Sequence, residues 1–222
     1  MAESYVRKRC CEAGLCSPGV PEGAVLINEP AAMPAGLTSA WSGPVEATVE
    51  LAEPLPRDRR VATHEAGHAA LAHGFGWSVA LVRINVPARV EYAATPTTAA
   101  QRTAVALAGD HAADWLGRVI CRPHDHELLP FLHAVRSLTH GKCDRCAALL
   151  NVCGIVGAAA DDATFLRTYR KIERQVIDLI KTPRVWRAVN DLSEQLMIRG
   201  AITGDEAHDI MGRQLSHGSI NF

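Results

Sequence analysis

The stretch Thr63-His64-Glu65-Ala66-Gly67-His68-Ala69 sets the frame for the whole chain. Residues four apart share one face of an α-helix, so His64 and His68 can offer two imidazole nitrogens to a single metal while Glu65 lies beside them. Zinc suits such a pair, because it lowers the pKa of bound water toward ~7 and polarises a carbonyl as a Lewis acid. The expectation is that His64 and His68 are zinc ligands and that Glu65, as general base, takes the proton from the water that attacks a peptide carbonyl. The same short motif also arises by chance on polar helices, leaving ordinary surface histidines. Two features weigh against that here. The surrounding residues are small and apolar, so the three polar side chains must be buried or face a cleft, where they need partners. Gly67 also costs about 1 kcal/mol relative to alanine inside a helix, which points to something approaching the backbone.

Outward from the motif, Asp58 can cap the helix and Gly74 and Gly76 end it. Residues 78–90 carry Val79, Leu81, Ile84 and Val86, an alternation suited to a strand or hairpin. Pro96-Thr97-Thr98 opens a second, alanine-rich helix over 99–117, and a histidine-rich connection, 122–127, leads to a third helical run around 128–138. Beyond Gly141 a short helix carries Asp144, Cys146, Ala147, Leu149 and Leu150. Residues 162–181 place Phe165, Leu166, Tyr169, Ile172, Val176, Leu179 and Ile180 on one helical face. Thr182-Pro183 begins the next helix, Gly200 stops it, and Thr203 with Glu206 forms a capping box for a last one.

The chain has 222 residues, 48% apolar and 21% charged, with 23 Lys and Arg against 24 Asp and Glu. That balance excludes a disordered polyelectrolyte and a basic nucleic-acid binder. Aromatics are 5%, so the core is expected to rest on small side chains between closely packed helices. The fold expected is mainly α (α+β), with a small strand element. Residues 1–56, punctuated by Pro and Gly, read as a flexible arm in which 23–28 suits one short strand and Trp41 suits docking; 57–212 form the domain and 213–222 a tail. The seven cysteines are irregularly spaced and no secretory signal precedes them, so reduced thiols and a cytoplasmic location are expected. The low-charge run 147–160 is short of the ~20 residues that span a bilayer, so no membrane span is expected.

The motif helix, Val61-Ala62-Thr63-His64-Glu65-Ala66-Gly67-His68-Ala69, resembles that of the peptidase unit of the FtsH-type ATP-dependent zinc proteases. The strand residues Leu81-Val82-Arg83-Ile84 and the helix signature Gly109-Asp110-His111-Ala112-Ala113-Asp114 are similar to the family's next elements, with Asp114 where the family has glutamate. The turn residues Ala201-Ile202-Thr203-Gly204-Asp205-Glu206 resemble its closing helices. The likeness covers roughly 57–211 and is tight only at the motif helix. It implies a helical zinc metallopeptidase whose third ligand is an aspartate at a Gly-rich turn opening a helix, the position of Asp144 in Gly141-Lys142-Cys143-Asp144. Asp125, between His124 and His126, competes for that role, since the distance from Gly109 to Asp144 is longer than the family's.

No Gly-x-x-x-x-Gly-Lys-Ser/Thr loop accompanies the motif, so the chain reads as a peptidase unit without its ATPase, acting on peptides or unfolded proteins alone or with a separate partner. A homo-oligomer is compatible with the sequence. Two other functions fit the same residues: a zinc-binding regulatory or interaction module without turnover, and a peptidase of the kind that cleaves a repressor. Cys143 and Cys146 form a CxxC, read as helical cysteines rather than a redox or metal pair, since no second CxxC or βαβ context accompanies them. Arg167, Arg170, Lys171 and Arg174 read as a solvated helix face.

Overall fold

The Asp58 carboxylate accepts a hydrogen bond from the Arg60 amide at 2.7 Å and so caps the first helix, α1 (Arg59–Gly74). The computed structural model describes residues 58–85, 87–93 and 96–222; the expected arm, with its short strand, Trp41, Cys10, Cys11 and Cys16, lies outside the described residues. Helix α2 (Ala99–Trp115) starts at a reciprocal capping box in which Gln101 N donates to Thr98 Oγ1 and Thr98 N donates to Gln101 Oε1, both at 3.1 Å. The two helices pack through alanines. Ala62, Ala66, Ala69 and Ala70 of α1 and Ala104, Ala108 and Ala112 of α2 are fully buried. Gly67 lies at their closest approach, where a Cβ would come within 2.6 Å of Ala112 Cβ and 2.7 Å of the Ala108 carbonyl oxygen. What approaches the backbone of α1 is therefore α2.

After α1 the chain forms the hairpin β1 (Val79–Arg83) and β2 (Arg89–Tyr92), antiparallel with Val82 opposite Val90 and Val79 opposite Tyr92. A third strand, β3 (Ala201–Thr203), pairs with the other side of β1, giving the order β2-β1-β3. This strand was not expected from the sequence; three residues between two glycines carry no periodicity, and their partner lies far away in the chain. Helix α3 (Asp125–Arg136) begins before the expected 128 because Glu127 accepts from the His124 amide at 2.7 Å, which caps the end of the histidine-rich connection.

Helix α4 (Asp144–Val156) and helix α5 (Asp162–Lys181) follow, with Phe165, Tyr169, Ile172, Val176 and Ile180 of α5 buried as the apolar face requires. Glu173 of α5 is fully buried too, and Arg122 and Arg170 hold it at 2.9 and 2.8 Å. Helix α6 (Pro183–Arg199) starts on Pro183 and ends at Gly200 with φ +80°, and α7 (Gly204–Gly212) starts on the Thr203–Glu206 box. Residues 213–222, set apart as a tail in the sequence, turn back onto the C-terminal end of α1, where Leu215 is buried and the Phe222 ring meets Phe75 at 5.3 Å. The fold is mainly helical with a small antiparallel sheet, as expected. Among the described residues no helix is long and apolar enough to cross a membrane.

The contact at Gly67 has a measurable consequence. Gly67→Ala gains about 1 kcal/mol in helix propensity but forces a methyl into backbone and Cβ atoms that cannot rotate away, an overpacking cost of about 1–3 kcal/mol. Urea denaturation is expected to give a net loss of stability, and an unchanged or raised midpoint would mean that α1 and α2 are not in contact there.

Candidate metal centre

Placing His64 and His68 on α1 fixes their Cβ atoms one turn apart, and α2 decides where the rings go. Gly109 of α2 sits under them. A Cβ there would fall onto His68 Nε2 and lie 2.8 Å from His64 Cε1, so only glycine leaves room for both imidazoles. The rings meet edge to face, with centroids 4.6 Å apart and an interplanar angle of 84°. His68 Nδ1 donates to the Val105 carbonyl oxygen of α2 at 2.7 Å, which leaves Nε2 with its lone pair turned into the site. His64 Nδ1 lies 3.6 Å from an Asp110 carboxylate oxygen, an acceptor that favours the proton on Nδ1 and a bare Nε2.

The third group comes from α4. Asp144 is the first residue of that helix, where the unpaired backbone amides favour a carboxylate. Its Oδ2 lies 3.0 Å from His64 Nε2 and 3.3 Å from His68 Nε2, and the two nitrogens are 3.0 Å apart. A tetrahedral zinc with bonds of about 2.0–2.1 Å has ligand atoms roughly 3.3 Å from one another, so the separations suit such an ion. The chemistry of the donor set agrees. Two imidazole nitrogens and a carboxylate oxygen converge on one point, a set that a shared cation, proton or metal ion, draws together.

The electrostatics report the same demand. Burial alone would lower the His68 pKa, yet the charge and hydrogen bond of Asp144, followed by the charge of Glu65, push it up to about 9. Burial would likewise raise Asp144, but His68 and His64 hold its carboxyl well below the usual range. Without a metal, the site is built to retain a proton.

Glu65 lies beside the triad, 7% exposed, with no hydrogen bond to its carboxylate among the described residues. Burial raises its pKa, opposed by the two histidines and aided by Asp144. Sequence reading missed three contributors. Asp110 and the Val105 carbonyl orient the imidazoles from α2, and no motif marks them. Tyr92, at the end of β2, is the third: its ring leans edge-on against Trp77 at 5.5 Å and the residue stays 38% exposed, while desolvation of the phenol and then the charges of Glu65 and Asp144 hold it above the usual range.

The competing ligand is elsewhere. Asp125 lies in the first turn of α3 and is paired with Arg170 at 2.6 Å, which ties it to α5. Asp114, at the end of the Gly109 signature, also lies outside the triad; it binds Arg60 of α1 at 2.8 Å and accepts from the Cys121 amide at 3.1 Å, so it braces the helix pair. Cys143 stands half-buried just before Asp144, and Cys146 is buried in α4.

Four substitutions test this geometry by metal content. Gly109→Ala is expected to displace both imidazoles and lose bound zinc by elemental analysis, while circular dichroism stays helical. Asp144→Ala is expected to lose zinc as His68→Ala does, whereas Asp125→Ala keeps it; retention in Asp144→Ala would remove Asp144 from the site. No protein-family model matches the chain, and no curated protein matches it either.

Proposed function

We propose that the chain is a zinc-dependent metalloendopeptidase that hydrolyses peptide bonds in unfolded proteins or peptides. The observation that supports this most is the pairing of three converging metal-type donors with Glu65, a buried carboxylate left without a hydrogen bond beside them. His64, His68 and Asp144 hold the ion. Bound there, zinc supplies a Lewis acid that polarises a carbonyl and brings the pKa of water toward ~7.

Glu65 does the proton work. Its raised pKa brings the carboxylate closer to the working pH, so one Oε accepts the proton of the attacking water and then returns it to the leaving amine nitrogen. Partial exposure of His64 and Asp144 leaves the triad open to an extended chain from one side, while Glu65 and His68 stay sheltered beneath. Tyr92 is the residue suited to donate to the developing oxyanion, since its phenol keeps its proton across the physiological range beside Glu65 and Asp144. With no phosphate-binding loop in the sequence, turnover is independent of ATP or is fed by a separate ATPase partner.

Labelled casein separates this reading from a zinc module without turnover. The zinc-loaded protein is expected to cleave it, chelation to stop cleavage and added zinc to restore it; full zinc occupancy with no cleavage would leave a binding module. Glu65→Gln is expected to keep the metal and lose activity by a factor of at least about 10². Tyr92→Phe is expected to lower kcat by about 10² with zinc content unchanged, and a wild-type kcat would remove Tyr92 from the mechanism.

A further inference from the structure

Toward the C-terminal end of α1 lies a second group of imidazoles. His73 of α1, His208 of α7 and His217 have ring centroids 4.9 to 5.2 Å apart, and their nitrogens are near enough to one another to hold an ion. The hydrogen bonds say what sits between them. His73 Nε2 is 2.8 Å from the Leu215 carbonyl oxygen, which can only accept, so the His73 proton is on Nε2 and Nδ1 is bare. The Val79 amide donates to His208 Nε2 at 3.0 Å, so that nitrogen is bare and a neutral His208 carries its proton on Nδ1. His208 Nδ1 and His73 Nδ1 are 2.7 Å apart, one donor facing one acceptor. His217 Nε2 faces the Trp77 carbonyl oxygen at 3.3 Å and donates there. An ion bound by His208 Nδ1 would need that proton stripped while Nε2 still received the Val79 amide, which demands an imidazolate. The centre is filled by a proton, and a metal does not suit it.

The relay Val79 N–H to His208, His208 N–H to His73 and His73 N–H to Leu215 O joins β1, α7, α1 and the segment after α7. That segment also closes the end of α1. Gly218 N donates to the His73 carbonyl at 3.0 Å, which Gly76 N also reaches at 3.0 Å, and Ile220 N donates to the Gly74 carbonyl at 2.8 Å, where the helix ends. The Ile220 side chain lies over Gly74, where a Cβ would run into it. Gly76 and Gly218 face one another and both have φ in the left-handed region, so the backbone at each favours glycine.

We propose that His73, His208 and His217 form a proton-bridged clasp that fastens residues 213–222 over the C-terminal end of α1 and releases them in mild acid. An added proton has no acceptor. On His73 Nδ1 it would face the N–H of His208, and on His208 Nε2 it would face the N–H of Val79, so either choice sets two donors against each other. The charged neighbours are few: Asp205 and Asp209 on α7 favour a protonated His208, His217 opposes it, β1 contributes only the Val79 amide, and Trp77 only its carbonyl. The balance falls on the neutral side. Burial, then His208 and His217, outweigh the Leu215 hydrogen bond and bring His73 down to about 4, and burial with His217 lowers His208 despite the two aspartates. With the segment released, His73 loses the burial that lowers it and returns toward its ordinary 6.5, so release takes up protons. Closure is therefore complete above that value and is lost as the pH falls from 6.5 toward 4; for His73 alone the closing constant is roughly twentyfold smaller at pH 5 than at pH 7. This holds whether or not the triad on the same helix is catalytic.

The test uses the full chain, uniformly ¹⁵N-labelled. Two-bond proton–nitrogen spectra at pH 7 are expected to give His208 as the Nδ1–H tautomer and His73 as the Nε2–H tautomer. Amide exchange of Gly218 and Ile220, corrected for intrinsic rates, is expected to lose protection roughly twentyfold from pH 7 to pH 5 while α5 amides keep theirs. His208→Gln keeps an acceptor for Val79 and offers His73 an acceptor too, so it is expected to flatten that pH dependence. The clasp is overturned if His208 is an Nε2–H tautomer, if the two amides exchange alike at both pH values, or if zinc shifts the ring nitrogens of His73 and His208. The wild-type measurements decide the matter if the variant does not fold.

Discussion

The close approach of α1 to α2 is the constraint from which the rest follows. Two helices carrying leucines would stand about 8–10 Å apart, and the spacing is set by the side chains between them. Here the contact is made by Gly67 against Ala108 and Ala112, and by Gly109 against the two imidazoles. The same narrow seam therefore does two jobs. It buries an alanine face with little side-chain entropy to lose, and it turns Val105 O and Asp110 toward His68 and His64.

The charge pattern around that seam is uneven in a useful way. Polar groups that brace the fold are held by opposite charges: Asp114 by Arg60, and Glu173, through one carboxylate oxygen, by Arg122 and Arg170. At the triad His64 Nε2, His68 Nε2 and Asp144 Oδ2 face one another across 3.0 to 3.3 Å, and Glu65 has no hydrogen bond among the described residues. A cation shared among such groups would offset their mutual repulsion, which is what supports the proposed ion at this place.

Much of this could be read from the residues because it is local. Asp58, the Thr98–Gln101 pair, Thr182-Pro183 and the Thr203–Glu206 box act within one turn, and each starts a helix where expected. The face of α5 obeys the 3.6-residue period. His64, Glu65 and His68 share a helical turn, so their adjacency was legible too. What escaped depends on partners far along the chain. β3 is three residues whose pairing exists only once β1 is beside it, and Asp110 looks like any helical aspartate until His64 arrives 46 positions earlier. Asp144 was reachable only through a family resemblance, since nothing in its own neighbourhood points to α1. The clasp histidines are spread over α1, α7 and residue 217, and no spacing rule connects them.

The sheet order β2-β1-β3 bears on when the centre can assemble. β1 sits in the middle, and its second neighbour, Ala201–Thr203, is made more than a hundred residues after it. The carbonyls at the end of α1 wait longer still, for Gly218 and Ile220. Joining segments separated by more than a hundred residues carries a loop-closure entropy that local helices avoid, so α1 can coil long before its surroundings exist. While the chain emerges from the ribosome, His64 and His68 are an exposed pair on an isolated helix without Asp144. The three-residue cluster forms only after Asp144 has been made and α4 has packed, so a nascent α1 carries the histidine pair alone.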